Sequence, residues 1–161
     1  MGTTFSIWLP ASDKAARPEH EDLGGASLRG NGTILVMDDE PSIREMAIHM
    51  LKSFGYTVTT VANGREAVEK YRNAKDAGKK FDLVLLDLTV PGGMGGEKAI
   101  LELKKIDPDV VACVTSGYAD NPILSEPEKY GFVGTIAKPY RTSELLKTVK
   151  EALGKSRQRS S

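Results

Sequence analysis

Six residues that can do chemistry recur at one kind of place, the end of a short apolar run. Ile34 to Met37 closes on Asp38 and Asp39, and Leu83 to Leu86 closes on Asp87. Val110 to Val114 closes on Thr115 and Ser116, and Gly134 to Ala137 closes on Lys138 ahead of Pro139. Three carboxylates brought together repel: two unit charges ~4 Å apart cost about 4 kcal/mol at an effective dielectric near 20. Such a cluster calls for a cation or for raised pKa values. Oxygen donors with no His or Cys beside them select a hard ion. Mg²⁺ is the choice, because it keeps several waters and shares a phosphoryl oxygen. Asp87, alone at its strand end, is then free to attack phosphorus and form an aspartyl phosphate. The metal and Lys138 would neutralise the charge.

These residues meet only if the apolar runs are parallel strands whose carboxyl ends share one edge. The segments between the runs read as helices. Ile43, Met46, Ala47, Met50, Leu51 and Phe54 recur at helical spacing after Pro41, and Gly55 suits the C-terminal cap. Thr57 to Val61 is the second strand. Asn63 and Glu66 form a capping-box pattern that opens the next helix, with Ala67, Val68, Tyr71 and Ala74 facing inward. Ala99, Ile100, Leu103 and Ile106 mark a third helix that Pro108 stops. Leu145, Leu146, Val149, Ala152 and Leu153 mark the last one, ending at Gly154. The fourth is expected to be short and to start near Glu126. Ser125 is its N-cap, since Pro127 fits a first turn and not a helix interior. Five strand–helix units make a doubly wound α/β fold. Strands one and three are central, and the Thr-rich second strand is more exposed.

From about Thr33 to Leu153 the chain resembles response-regulator receiver domains. The likeness rests on Asp38-Asp39, on Asp87 with Pro91 four residues on, on Ser116-Gly117, and on Lys138-Pro139-Tyr140. It implies a flavodoxin-like (βα)5 domain over residues 33–154, with strand order 2-1-3-4-5 and helices on both faces. It also implies phosphorylation of Asp87 by a phosphohistidine donor, on a kinase or a phosphotransfer domain. Asp39, Asp87 and the backbone carbonyl of Thr89 would bind Mg²⁺ directly, and Asp38 through water. Ser116 would bond a phosphoryl oxygen and Lys138 would pair with the phosphoryl group. Two departures stand out. The position three before the lysine, aromatic in the family's usual switch, is Thr135. The loop Pro91-Gly92-Gly93-Met94-Gly95-Gly96 is one residue longer than the common form, and its four glycines favour several conformations.

Gly2 to Pro10 resembles the last strand of a histidine-kinase ATP-binding domain, so residues 1–10 are expected to be its remnant. Residues 11–32 then form a flexible linker and 155–161 a disordered tail. Together these resemblances imply that the chain is the C-terminal receiver of a hybrid histidine kinase, a fragment expected to catalyse only its own phosphorylation and dephosphorylation.

The 161 residues carry zero formal net charge, with no basic element to bind nucleic acid. No apolar run reaches the ~18 residues that span a bilayer, and the N-terminus lacks signal-peptide order. A cytoplasmic domain without direct membrane contact is expected, whatever anchors its parent. Cys113, within an apolar strand, is expected to be a buried hydrophobe. His49 reads as a helix-face residue rather than a phosphodonor. Two other functions fit parts of the pattern. An aspartate-nucleophile phosphohydrolase needs a second carboxylate where Thr89 stands. A non-phosphorylated flavodoxin-like interaction domain has no use for the acidic cluster.

Overall fold

The computed structural model describes residue 2, residues 28–118 and residues 121–159. Strands β1 (Thr33–Met37), β2 (Thr57–Val61), β3 (Leu83–Asp87), β4 (Ala112–Ser116) and β5 (Gly134–Ala137) form one sheet in the order β2-β1-β3-β4-β5. Every pairing is parallel. The connecting helices are α1 (Pro41–Ser53), α2 (Gly64–Asp76), α3 (Gly96–Ile106), α4 (Pro122–Ser125) and α5 (Thr142–Arg159). A 3₁₀ turn at Pro127–Tyr130 follows α4.

Alternation along the strands splits the core in two. Ile34, Val36, Leu83, Leu85 and Cys113 face α1 and α5, where Ala47, Leu51, Leu145, Leu146 and Val149 close over them. Leu35, Met37, Val84, Leu86 and Val114 face Ala67 and Tyr71 of α2 and Ala99, Ile100 and Leu103 of α3. Strands β3 and β4 are buried at every position, whereas β2 is largely exposed or half-buried at the sheet edge. This is the expected signature of central strands covered on both faces. Cys113 is fully buried and unpaired, and burial pushes its thiol up to about 12.

Register places the chemistry. Met37 pairs with Leu86, Asp87 with Thr115, and Ser116 with Ala137. The residues that follow β1 and β5 therefore emerge level with Asp87 and Ser116. The expected fourth strand, Val110 to Val114, starts two residues later and runs on through Thr115 and Ser116.

The cap of α2 forms as its sequence suggests. Asn63 Oδ1 accepts from Glu66 N–H at 3.0 Å, and Glu66 Oε2 accepts from Ala62 N–H at 3.1 Å. Three other expectations are corrected. Helix α4 starts at Pro122, not near Glu126, because the Asn121 side chain accepts from Ile123 N–H and supplies the N-cap assigned to Ser125. Pro127 then ends the α geometry and a 3₁₀ turn takes over. Helix α5 does not stop at Gly154 but continues to Arg159, into the expected tail. Gly154 is not among the glycines with positive φ, and one glycine in a helix costs only about 1 kcal/mol. Finally, the end of the expected linker is seated on the domain. Leu28 packs against the α1–α5 core, and Gly30 N–H donates to Phe54 O at 3.1 Å. The expected remnant strand and most of the linker lie outside the described residues.

At the opposite edge from the strand ends, Asp107 ties the end of α3 to α2. Tyr71 Oη donates to Asp107 Oδ2 at 2.7 Å, and Lys80 Nζ pairs with the same oxygen at 2.7 Å. Burial alone would raise the Asp107 carboxyl, but the bonds from Lys80 and Tyr71 hold it below the usual carboxylate range. A folded-state pKa below the unfolded one gives stability that is present above the unfolded value and lost as pH falls through the folded one. Tyr71→Phe is expected to cost about 2 kcal/mol, as for a lost hydrogen bond to a charged group. Urea unfolding should show that difference near neutral pH and a smaller one once acid protonates Asp107.

Candidate functional site

The site is built where β1, β3, β4 and β5 end. Asp38 and Asp39 follow β1 directly, and Asp38 N–H still donates to Val61 O across the β2 pairing at 3.2 Å. Asp38 is fully buried and Asp87 only 5% exposed, whereas Asp39 faces solvent. One oxygen from each of these three carboxylates lies within 4.8 Å of the others. Lys138 spans two of them, with Nζ 2.5 Å from Asp38 Oδ2 and 2.9 Å from Asp87 Oδ2. Three carboxylates against one ammonium leave a formal charge of −2 in a small, mostly buried volume.

Burial is the largest influence on Asp87 and raises its carboxyl pKa; Asp38 adds to the rise, and Lys138 opposes it without cancelling it. Lys138 moves the same way for the opposite reason. Burial would lower its ammonium, but Asp38 and Asp87 together outweigh burial and raise it. The ion pair is therefore firm on the lysine side, while the carboxylate side remains short of positive charge. Oxygen donors so arranged, half-satisfied and close together, fit a hard divalent cation.

The remaining expected residues are at the same edge with different degrees of engagement. Asp87 Oδ1 accepts from Thr89 N–H at 3.4 Å, a long contact. Ser116 is buried, and its backbone oxygen accepts from Lys138 N–H at 2.9 Å. Its hydroxyl, however, is bonded within its own turn: Oγ accepts from Tyr118 N–H at 3.0 Å and lies 3.4 Å from Tyr118 O. Thr135 is half-buried on β5, and Tyr118 is 71% exposed. Tyr140 is buried beneath the cluster, and burial pushes its phenol up to about 12.

The glycine-rich loop is seated. Gly64 N–H donates to Met94 O at 2.7 Å, and Gly93 N–H donates to Val90 O at 3.1 Å. A Cβ on Gly95 would collide with the Leu88 carbonyl, and one on Gly96 would sit 2.9 Å from the Asp87 carbonyl. At these two positions glycine lets the backbone lie against the chain leaving Asp87. Sequence reasoning missed Arg44, whose Nη1 donates to Asp38 O at 2.7 Å and Asp39 O at 3.0 Å. Its place in the first turn of α1, five residues after Asp39, was the available signal.

The family model for the response regulator receiver domain matches residues 34–150. Over 165 aligned residues the chain is 34% identical to the sensor kinase CckA of Brucella abortus. That alignment covers 96% of this chain but only 17% of the kinase's length. It is 37% identical to the chemotaxis protein CheY of Thermotoga maritima, covering 76% of this chain and 94% of that protein. Among solved structures, the receiver domain of a Pseudomonas aeruginosa sensor histidine kinase has magnesium coordinated in its active-site cleft. It superposes with a TM-score of 0.67 at 25% identity, over 78% of this chain and 99% of that one. A receiver domain from Methanospirillum hungatei superposes with a TM-score of 0.70 at 26% identity, over 81% and 99%.

The raised Asp87 pKa carries a stability consequence opposite in sign to that of Asp107. A carboxyl whose folded pKa exceeds its unfolded one stabilises the fold below the unfolded value, and loses that as pH rises through the folded value. At neutral pH its charge is a net cost in metal-free protein. Asp87→Asn is expected to stabilise the metal-free chain by about 1 kcal/mol, or a few degrees in Tm. Thermal melts in chelator at neutral pH check this, and the gain should shrink on acidification.

Proposed function

The chain belongs to the response regulator receiver domain family, a phosphoacceptor module of two-component signalling, and from that premise we propose that Asp87 is its phosphoacceptor. The observation that carries the assignment is the Lys138 ammonium held between Asp38 and Asp87, with Asp39 completing the carboxylate cluster. An Asp87 oxygen attacks phosphorus of a phosphohistidine. The new O–P bond forms as the P–N bond breaks, and the departing electron pair stays on the imidazole nitrogen, which takes up a proton. The product is an acyl phosphate with charge near −2.

Asp38, Asp39, Asp87 and the Thr89 carbonyl are the proposed holders of Mg²⁺. The charge deficit of the cluster and its all-oxygen donor set fit that ion. Bound there, Mg²⁺ would neutralise charge on the transferring phosphoryl oxygens. Lys138 already faces Asp87 Oδ2 and would exchange that carboxylate oxygen for a phosphoryl oxygen. To donate to a phosphoryl oxygen, the Ser116 hydroxyl must withdraw its proton from Tyr118 O, so phosphorylation would loosen the start of the loop between β4 and α4. With Thr135 in place of an aromatic lever, a relay or local regulatory role is favoured over a large allosteric output.

We also propose that the chain is the C-terminal receiver of a hybrid histidine kinase, working in the cytoplasm. An alignment covering 96% of this chain with a sensor kinase, and thus reaching past the receiver match, supports that context. Among the described residues, no helix is long and apolar enough to cross a membrane.

The test is transfer from a radiolabelled phosphohistidine donor domain. The full chain should take up label only with Mg²⁺ present, and a chelator should abolish the uptake. Asp87→Asn should reduce labelling at least a hundredfold with the fold retained, since it removes the nucleophile. Labelling of Asp87→Asn at the unmodified rate would refute the assignment.

A further inference from the structure

Arg44 holds the acidic pair by its backbone. Its Nη1 lies 2.7 Å from the Asp38 carbonyl oxygen and 3.0 Å from that of Asp39, so one donor group spans both peptide groups. Arg44 belongs to the first turn of α1, where its own N–H donates to Glu40 O at 3.2 Å. Side chains on a helix tilt toward its N-terminus, which brings the guanidinium back over the segment that joins β1 to α1. The Glu40 N-cap position has no side-chain cap bond. Asp38 Oδ1 instead accepts from Glu40 N–H at 3.0 Å, so the same short segment is fixed from its carboxylate side as well.

The segment needs such restraint. Asp38, Asp39 and Asp87 repel one another, and of the three the Lys138 ammonium pairs with Asp38 and Asp87. Asp39 is exposed, and among the described residues its side chain makes no hydrogen bond or ion pair. Rotation of the Asp38–Asp39 or Asp39–Glu40 peptide group would carry its carboxylate away from the others. Both of those groups offer the carbonyl that Arg44 holds. We propose that Arg44 is a positioning residue for the divalent-cation site: it fixes the two peptide planes so that the carboxylates are preorganised for the ion. Ordering done in the folded chain is not charged to binding, so its loss appears as weaker affinity. The inference rests on the acidic cluster being a Mg²⁺ site.

Groups that orient metal ligands typically alter affinity 10–100-fold when removed. Isothermal titration of Mg²⁺ into the full chain reads this directly. Arg44→Ala should bind on the order of tenfold more weakly. Arg44→Lys, which keeps a charged donor without the guanidinium, should fall between the two. Arg65→Ala, an exposed arginine on α2, removes the same net charge and should retain the unmodified affinity. Should Arg44→Ala not fold, Arg44→Gln serves in its place, and it too should bind more weakly. Affinity of the folded Arg44 variant within twofold of the unmodified chain overturns the proposal. So does an equal loss in Arg65→Ala, which would reveal only a general charge effect. If the unmodified chain binds no Mg²⁺ at all, the metal-site reading itself fails with it, a result distinct from either.

Discussion

The ammonium of Lys138 between Asp38 and Asp87 is the interaction on which the rest depends. Without it, two buried carboxylates would share a sheet edge with no positive partner, and burial with mutual repulsion would drive one of them to take up a proton. With it, the cluster is still two charges short of neutrality. That residual negative charge is what makes an all-oxygen site favour a hard divalent cation. The raised Asp87 pKa is the same fact seen from the carboxylate.

The fold meets this demand by register and by anchoring at both edges. Parallel pairing brings the ends of β1, β3, β4 and β5 level, so residues far apart in sequence arrive together. Asp107 at the other edge joins α2 to the end of α3 through Tyr71 and Lys80. That anchor uses a carboxylate in the ordinary stabilising sense, with its pKa lowered. At the strand ends Asp87 is held charged against stability, with its pKa raised. The two edges therefore answer to pH with opposite signs, as expected when one supports the fold and the other is held ready for chemistry.

Much of this was legible in the sequence. The central position of β3 and the meeting of Asp38, Asp39, Asp87 and Lys138 follow from apolar runs that end in charge, whereas the full strand order came from the resemblance to receiver domains. Local competition was harder to read. At α4 the sequence pointed to Ser125 as the cap, but the Asn121 side chain accepts from Ile123 N–H and starts the helix earlier. At Gly154 a stop signal was overridden, because nothing after it forbids the helix. Glycines after Asp87 suggested looseness, but close approach to the Leu88 and Asp87 carbonyls is what requires two of them. Arg44 was overlooked because its partners are backbone carbonyls, which leave its place in the first turn of α1 as its signal.

The central claim is that one carboxylate, Asp87, accepts the phosphoryl group. An acyl phosphate can be reduced by borohydride, which converts an aspartyl phosphate to homoserine and so marks the residue permanently. The measurement is peptide mass spectrometry of the full chain after phosphotransfer and borohydride trapping. Homoserine at position 87, absent when the donor or Mg²⁺ is withheld, is the predicted result. Homoserine at position 38 or 39, or phosphate retained on a histidine, would contradict it.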